Sequence, residues 1–195
     1  MNRRTNIICI ACLALSIGGM IVGSAGIPAR SADALKSERA PLQIVHRFSP
    51  HGNIAAELVK LINTETSAIH VAAYTLTDPR IIHALTGAQQ RGVDVQILLD
   101  GKYGVQSSQK AIAELKAAHC TLLIDSEEDA HGGIAHEKAM IFTAQQTAES
   151  GSYNYTGRAD TVNHEHAVFF YHDELTCEQL LIDWTNHAKH SQIAK

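Results

Sequence analysis

The sequence has no stripe of positive charge. Its 16 lysines and arginines are outnumbered by 20 aspartates and glutamates, for a formal net charge of −4. That balance excludes a broad basic surface of the kind that wraps nucleic acid. Any polyanion must be held by a local cluster, with Arg91, Lys102, Lys110, Lys138 and Arg158 as the candidates. Cysteine is scarce as well: of the four, Cys9 and Cys12 fall in an N-terminal apolar run, leaving Cys120 and Cys177. Those two lie in a strand-like and a helix-like pattern, compatible with a disulfide or with two buried free thiols. There is no internal repeat, no low-complexity segment and no recognisable module for reading bases. At 195 residues, 45% apolar and 18% charged, the chain can build one sizeable core but not two large domains.

What is present begins with a leader. Asn2-Arg3-Arg4 precedes an almost wholly apolar or small stretch, 7–22, followed by Gly23-Ser24-Ala25 and Ala32-Asp33-Ala34 as possible cleavage sites. The pattern predicts a signal peptide over 1–34 and export to a periplasmic or extracellular space. An uncleaved membrane anchor is the alternative, since the apolar run approaches spanning length. With cleavage, no stable membrane span is expected. Residues 1–34 carry Arg3, Arg4 and Arg30 against Asp33, a net +2, so the remainder carries −6.

From 41 to 195 the patterns predict a single α/β domain. Strand-like runs at 43–48, 68–76, 93–100 and 120–125 alternate with helical periodicity at 54–63, 79–92 and 108–118. Thr77-Asp78-Pro79 is a helix start, with aspartate as N-cap and proline at the first position. A polar segment, 126–133, leads into two further strands joined by a turn near 144–147. A short irregular or helical segment at 156–162, a strand at 167–171 and a closing helix at 173–190 complete the order. The expected architecture is a mixed, largely parallel sheet flanked by helices on both faces.

The chemistry is concentrated in His136-Glu137-Lys138, Gly151-Ser152-Tyr153-Asn154 and Asn163-His164-Glu165. On an alternating strand His136 and Lys138 share a face, and Ser152 and Asn154 repeat that spacing. A lysine pointing inward from the apolar run Ala139-Met140-Ile141-Phe142 is costly unless it meets an anion. A nucleophile or base, a fixed cation and two neutral hydrogen-bonding groups suit a phosphodiester. Zinc is the competing reading of the twelve histidines. None of His164-Glu165-His166, His131 with His136, or His187 with His190 has a strong ligand spacing, so no metal is expected.

His136-Glu137-Lys138 with Gly151-Ser152-Tyr153-Asn154 resembles the HKD signature of the phospholipase D superfamily. The segments 48–52, 73–79, 91–100 and 163–168 are similar to its small, single-motif bacterial endonucleases, so the resemblance spans about 45–190. It implies a metal-independent phosphodiesterase without a cofactor. His136 would be the nucleophile or acid–base, forming a phosphohistidine intermediate. Lys138 and Asn154 would bind the phosphate, Ser152 would assist, and Glu165 would orient the histidine. One motif per chain implies a homodimer with a shared active site. One departure stands out: Thr143 occupies the place of the motif aspartate. Three functions follow: an endonuclease on DNA or RNA, a phospholipase D acting on phospholipid headgroups, or an inactive phosphate- or nucleic-acid-binding relative.

Overall fold

A computed structural model describes residues 40–126 and 132–194. The expected leader and most of the polar segment before His136 lie outside the described residues. The strands are β1 (Gln43–Phe48), β2 (Ala68–Ala73), β3 (Asp94–Asp100), β4 (Thr121–Asp125), β5 (Lys138–Phe142), β6 (Thr147–Gly151), β7 (His166–Tyr171) and β8 (Gln192–Ile193). The helices are α1 (Ile54–Thr64), α2 (Pro79–Gln90), α3 (Tyr103–Ser107), α4 (Gln109–Ala117), α5 (Gly157–Thr161) and α6 (Glu174–His190). Among the described residues no helix is long and apolar enough to cross a membrane.

The strands form one mixed sheet in the order β1-β7-β6-β5-β2-β3-β4-β8. Its parallel part is smaller than expected: only β2–β3 and β3–β4 pair in parallel, and the other neighbours are antiparallel. The reason is connection length. Parallel neighbours need a crossover of a dozen or more residues, which α2 and α4 supply. The β5–β6 link is only a turn, which forces an antiparallel hairpin.

Alternation along the strands separates two apolar layers. Val71, Val95, Ile97, Met140 and Phe142 join Ile54, Leu58, Ile81, Leu85 and Leu115 of α1, α2 and α4 in the larger cluster. Ala72, Leu98, Ala139 and Ile141 face Cys177 and Trp184 of α6. Helices therefore cover both faces, as expected. Cys120 belongs to the first layer and Cys177 to the second, and both are free buried thiols. The start of α2 is built as its residues dictate, with the Asp78 carboxylate accepting from Arg80 N at 2.9 Å and proline in the first turn.

One core residue makes the fold pH-sensitive. Glu149 on β6 is fully buried. Its Oε2 accepts from the Tyr155 hydroxyl at 3.0 Å, and its Oε1 has no hydrogen-bond partner. Burial pushes its carboxyl up to about 8. An acid with a raised folded-state pKa binds its proton more tightly folded than unfolded. Stability is therefore greatest near and below the ordinary carboxyl pKa, and it declines as pH rises through about 8. Glu149→Gln is expected to flatten the fall in Tm between pH 5 and 8 and to raise Tm at pH 8. An unchanged slope in calorimetry would rule Glu149 out as its source.

Candidate active site

The antiparallel arrangement brings the sequence-singled residues to one end of the sheet. Lys138 opens β5 opposite Ala73, the last residue of β2, and Gly151 closes β6 opposite Ala167 near the start of β7. Chain directions alternate, so the loops after β2 and β6 and those before β5 and β7 meet at that end. Residues 152–155 run beside 74–77: Leu76 bridges Tyr155, and Thr77 N and Asp78 N both donate to Tyr155 O. The glycine before Ser152 is sterically required. A Cβ on Gly151 would lie 2.2 Å from the His166 carbonyl oxygen, which also accepts from Ser152 N at 2.9 Å.

His136 is exposed, two residues above the buried Lys138. The Lys138 ammonium donates to the His136 carbonyl and lies 4.9 Å from the centroid of the Tyr74 ring. That ring also meets the His136 imidazole at 4.6 Å, tilted by 59°. Tyr74 thus backs His136 and Lys138 together. Burial lowers the Lys138 ammonium to about 8, although the carboxylates of Glu165, Asp100 and Glu137 pull the other way. Desolvation and the Lys138 charge likewise hold the His136 imidazole below its ordinary value, against an upward pull from Asp100. At neutral pH the imidazole is therefore biased towards its unprotonated, nucleophilic form.

The remaining groups are locked by a hydrogen-bonded ring. Ser152 Oγ donates to Glu165 Oε2 at 2.7 Å and accepts from His166 N at 3.1 Å. Asn163 Nδ2 donates to Glu165 Oε1 at 3.0 Å. Ser49 Oγ donates to Asn163 O and accepts from Glu165 N, stitching the β1 end onto the β7 entrance. Asn154 Oδ1 accepts from Thr75 Oγ1 at 3.3 Å, which leaves the amide nitrogen as donor for a ligand oxygen. Within one chain Glu165 is thus engaged by Ser152 and Asn163 and pulls electrostatically on Lys138. Among the described residues its carboxylate is hydrogen-bonded to those two side chains, not to the imidazole.

Asp100 carries a role the sequence patterns did not assign. It is buried at the end of β3. Its Oδ2 accepts from Lys102 N and Gly104 N at 3.2 and 2.8 Å, and its Oδ1 accepts from Ala135 N at 3.0 Å. It therefore pins the residue preceding His136 and is the carboxylate whose field acts on that imidazole. The only signal for it was its place at the end of the matching segment 91–100. Asp100→Asn keeps the shape but sets an amide against backbone N–H donors. It should cost about 1–3 kcal/mol of stability in denaturant unfolding, and an unchanged midpoint would contradict the pinning role.

Thr143 lies far from this chemistry. It is exposed in the turn after β5, at the strand end opposite Lys138, on the order of 16 Å along the chain. The turn is organised from outside: Glu65 accepts from Ala144 N, Gln145 N, Thr66 N and Ser67 N. The missing motif aspartate removes no group from the cluster around His136.

Comparison with known proteins agrees with the geometry. A family model described as "Cardiolipin synthase, PLD-like domain" matches residues 58–183. The chain belongs to the phospholipase D superfamily. A protein named Phospholipase D from Rickettsia conorii is 33% identical over 150 residues, covering 77% of this chain and 72% of the relative. The crystal structure of Nuc from Salmonella typhimurium, a phospholipase D family member, superimposes with a TM-score of 0.72 at 29% identity, covering 80% of this chain and 99% of Nuc. NucT from Helicobacter pylori shares the fold, with a TM-score of 0.70 at 19% identity over 79% of this chain and all of NucT. Membership makes the protein a phosphodiesterase, and the cluster around His136 is its candidate centre.

Proposed function

We propose that the chain is a metal-independent endonuclease that cleaves DNA, or the same linkage in RNA, through a covalent bond to His136. The observation that carries this reading is an exposed imidazole directly above a buried ammonium, flanked by Ser152 and Asn154. His136 attacks phosphorus, and Lys138 and the Asn154 amide hold the non-bridging oxygens as negative charge develops. The leaving oxygen takes a proton from a second imidazole. Water then attacks the phosphohistidine, returning free His136 and a phosphate monoester end. Each chain carries one such motif, so the second imidazole comes from a second copy, in a homodimer with the site on its two-fold axis. Ser152, held by Glu165, assists at the phosphate. The reading includes export, with residues 1–34 as leader.

A phospholipase D activity is the second reading, favoured by the name of the Rickettsia conorii relative. One experiment separates the two. The domain is incubated in EDTA with supercoiled plasmid and, separately, with phosphatidylcholine vesicles, with His136→Ala as control. Plasmid nicking that the variant lacks supports the nuclease, whereas choline release without nicking supports the lipase. Inactivity on both with and without EDTA leaves a binding protein, and activity that EDTA abolishes contradicts the metal-independent route.

The depressed Lys138 pKa adds a pH signature. Phosphate binding needs the ammonium, which in the free protein is lost as pH rises through about 8. kcat/KM should fall above that pH, while the limb in kcat lies higher because a bound phosphate restores the proton. A kcat/KM that stays flat to about pH 10 would remove Lys138 as the titrating phosphate ligand.

A further inference from the structure

A second constellation of ligand-type side chains lies near the ends of β4 and α6. His187 and His190, three residues apart in the last turn of α6, project from one side of the helix. In sequence they lack a third ligand. Asp125, the last residue of β4, supplies it from 62 positions away. His187 Nδ1 lies 3.0 Å from Asp125 Oδ2 and His190 Nε2 lies 3.4 Å from Asp125 Oδ1. One ligand atom from each of the three residues lies within 4.8 Å of the others. The Asp125 side chain is 0% exposed, and the imidazoles keep 34% and 32% exposure.

We propose that Asp125, His187 and His190 form a binding site for a divalent transition-metal ion of the zinc type, tying the end of α6 to the end of β4. Bonds of about 2.0–2.2 Å in tetrahedral array place zinc ligands about 3.3 Å apart, so three ligand atoms already within 4.8 Å of one another need only a small closure around an ion. Two imidazoles and one carboxylate match the preference of zinc-type ions over calcium or magnesium, which favour all-oxygen shells. The surroundings are acidic. Asp125 and His187 line a cavity of about 270 Å³ together with Glu137 and Asp183. A dication would offset this concentration of carboxylates. His136 lines the same cavity, but the metal would draw its three ligands from β4 and α6 and none from the cluster that holds the phosphate. It is a structural tie that takes no part in the covalent step.

The test uses the full chain stripped with EDTA and dialysed free of it. Titration calorimetry with zinc chloride should show one zinc per chain at micromolar or tighter affinity. Tm should rise by about 5–10 °C when free zinc is a hundredfold above Kd. The double variant His187→Ala/His190→Ala should lose the affinity at least about tenfold and lose the shift in Tm. Undiminished binding would overturn the proposal by placing zinc elsewhere, for example at the exposed pair of His46 and His166, whose ring nitrogens are 3.0 Å apart. Cobalt(II) added to the unmodified chain is a readout that survives failure of the variant to fold. The intense visible absorption of four-coordinate cobalt supports the site, and the weak spectrum of the hydrated ion overturns it. Phosphodiesterase activity assayed at 25 °C should survive removal of the metal, so this result and the catalytic reading stand or fall separately.

Discussion

His136→Ala is expected to lower kcat for a small phosphodiester such as bis(p-nitrophenyl) phosphate by about four orders of magnitude or more. The loss is this large because in the proposed mechanism the imidazole is the bond-forming group, not one of several ligands. In a shared two-fold site the same substitution also removes the acid that protonates the leaving oxygen. Folding should be spared: His136 is exposed, and its ring contact is the tilted one with Tyr74. The expected result is an unchanged Tm with activity at the limit of detection. A variant within tenfold of the parent would show that another group attacks phosphorus.

Lys138→Met should have the second-largest effect, with stability and activity moving in opposite directions. The ammonium is buried on a strand whose five residues are all buried. Its pKa is depressed to about 8 by that burial. A lysine with a depressed folded-state pKa is carried at a cost below that pH, and the cost disappears as pH rises through the ordinary lysine value. Methionine removes the cost at neutral pH while filling similar volume, so Tm at pH 7 should rise. It also removes the fixed charge that, in the proposed mechanism, meets the phosphate. Losing one preorganised donor of this kind costs about 10²–10³ in kcat, and more where the donor is the site's full positive charge. A fall in Tm at pH 7 would show that Lys138 is a structural cation held by Glu165, Asp100 and Glu137. A rise with the loss of activity would make the site an example of stability given up for function.

The inward-facing lysine was legible because alternation on an apolar strand leaves a long cation no other direction. So was the start of α2, since Asp78-Pro79 is a local signal that needs no distant partner. Both faces of the sheet were legible as faces, but the pairing directions were not. Alternating runs look alike whether strands pair in parallel or not, and only the short β5–β6 link distinguishes them. β8 was missed because two residues carry no period. The placement of Glu165 shows the same limit. The resemblance implies an orienting acid there, and within one chain Ser152 and Asn163 engage both of its oxygens. Asp100 and Asp125 end adjacent parallel strands in register, and each gathers groups from remote segments. Their roles arise from contacts between residues tens of positions apart, which periodicity cannot show.

The central claim is that one chain holds half a catalytic site. It is tested most directly by diluting active chains among inactive partners. The parent chain is refolded, or co-expressed, with about a ninefold excess of His136→Ala, so that nearly every parent chain pairs with a variant. If two copies of His136 meet at one site, activity per parent chain should fall to about one-tenth, the chance of finding a parent partner. Activity per parent chain that stays constant at every mixing ratio would mean that each chain works alone, and would contradict the shared site.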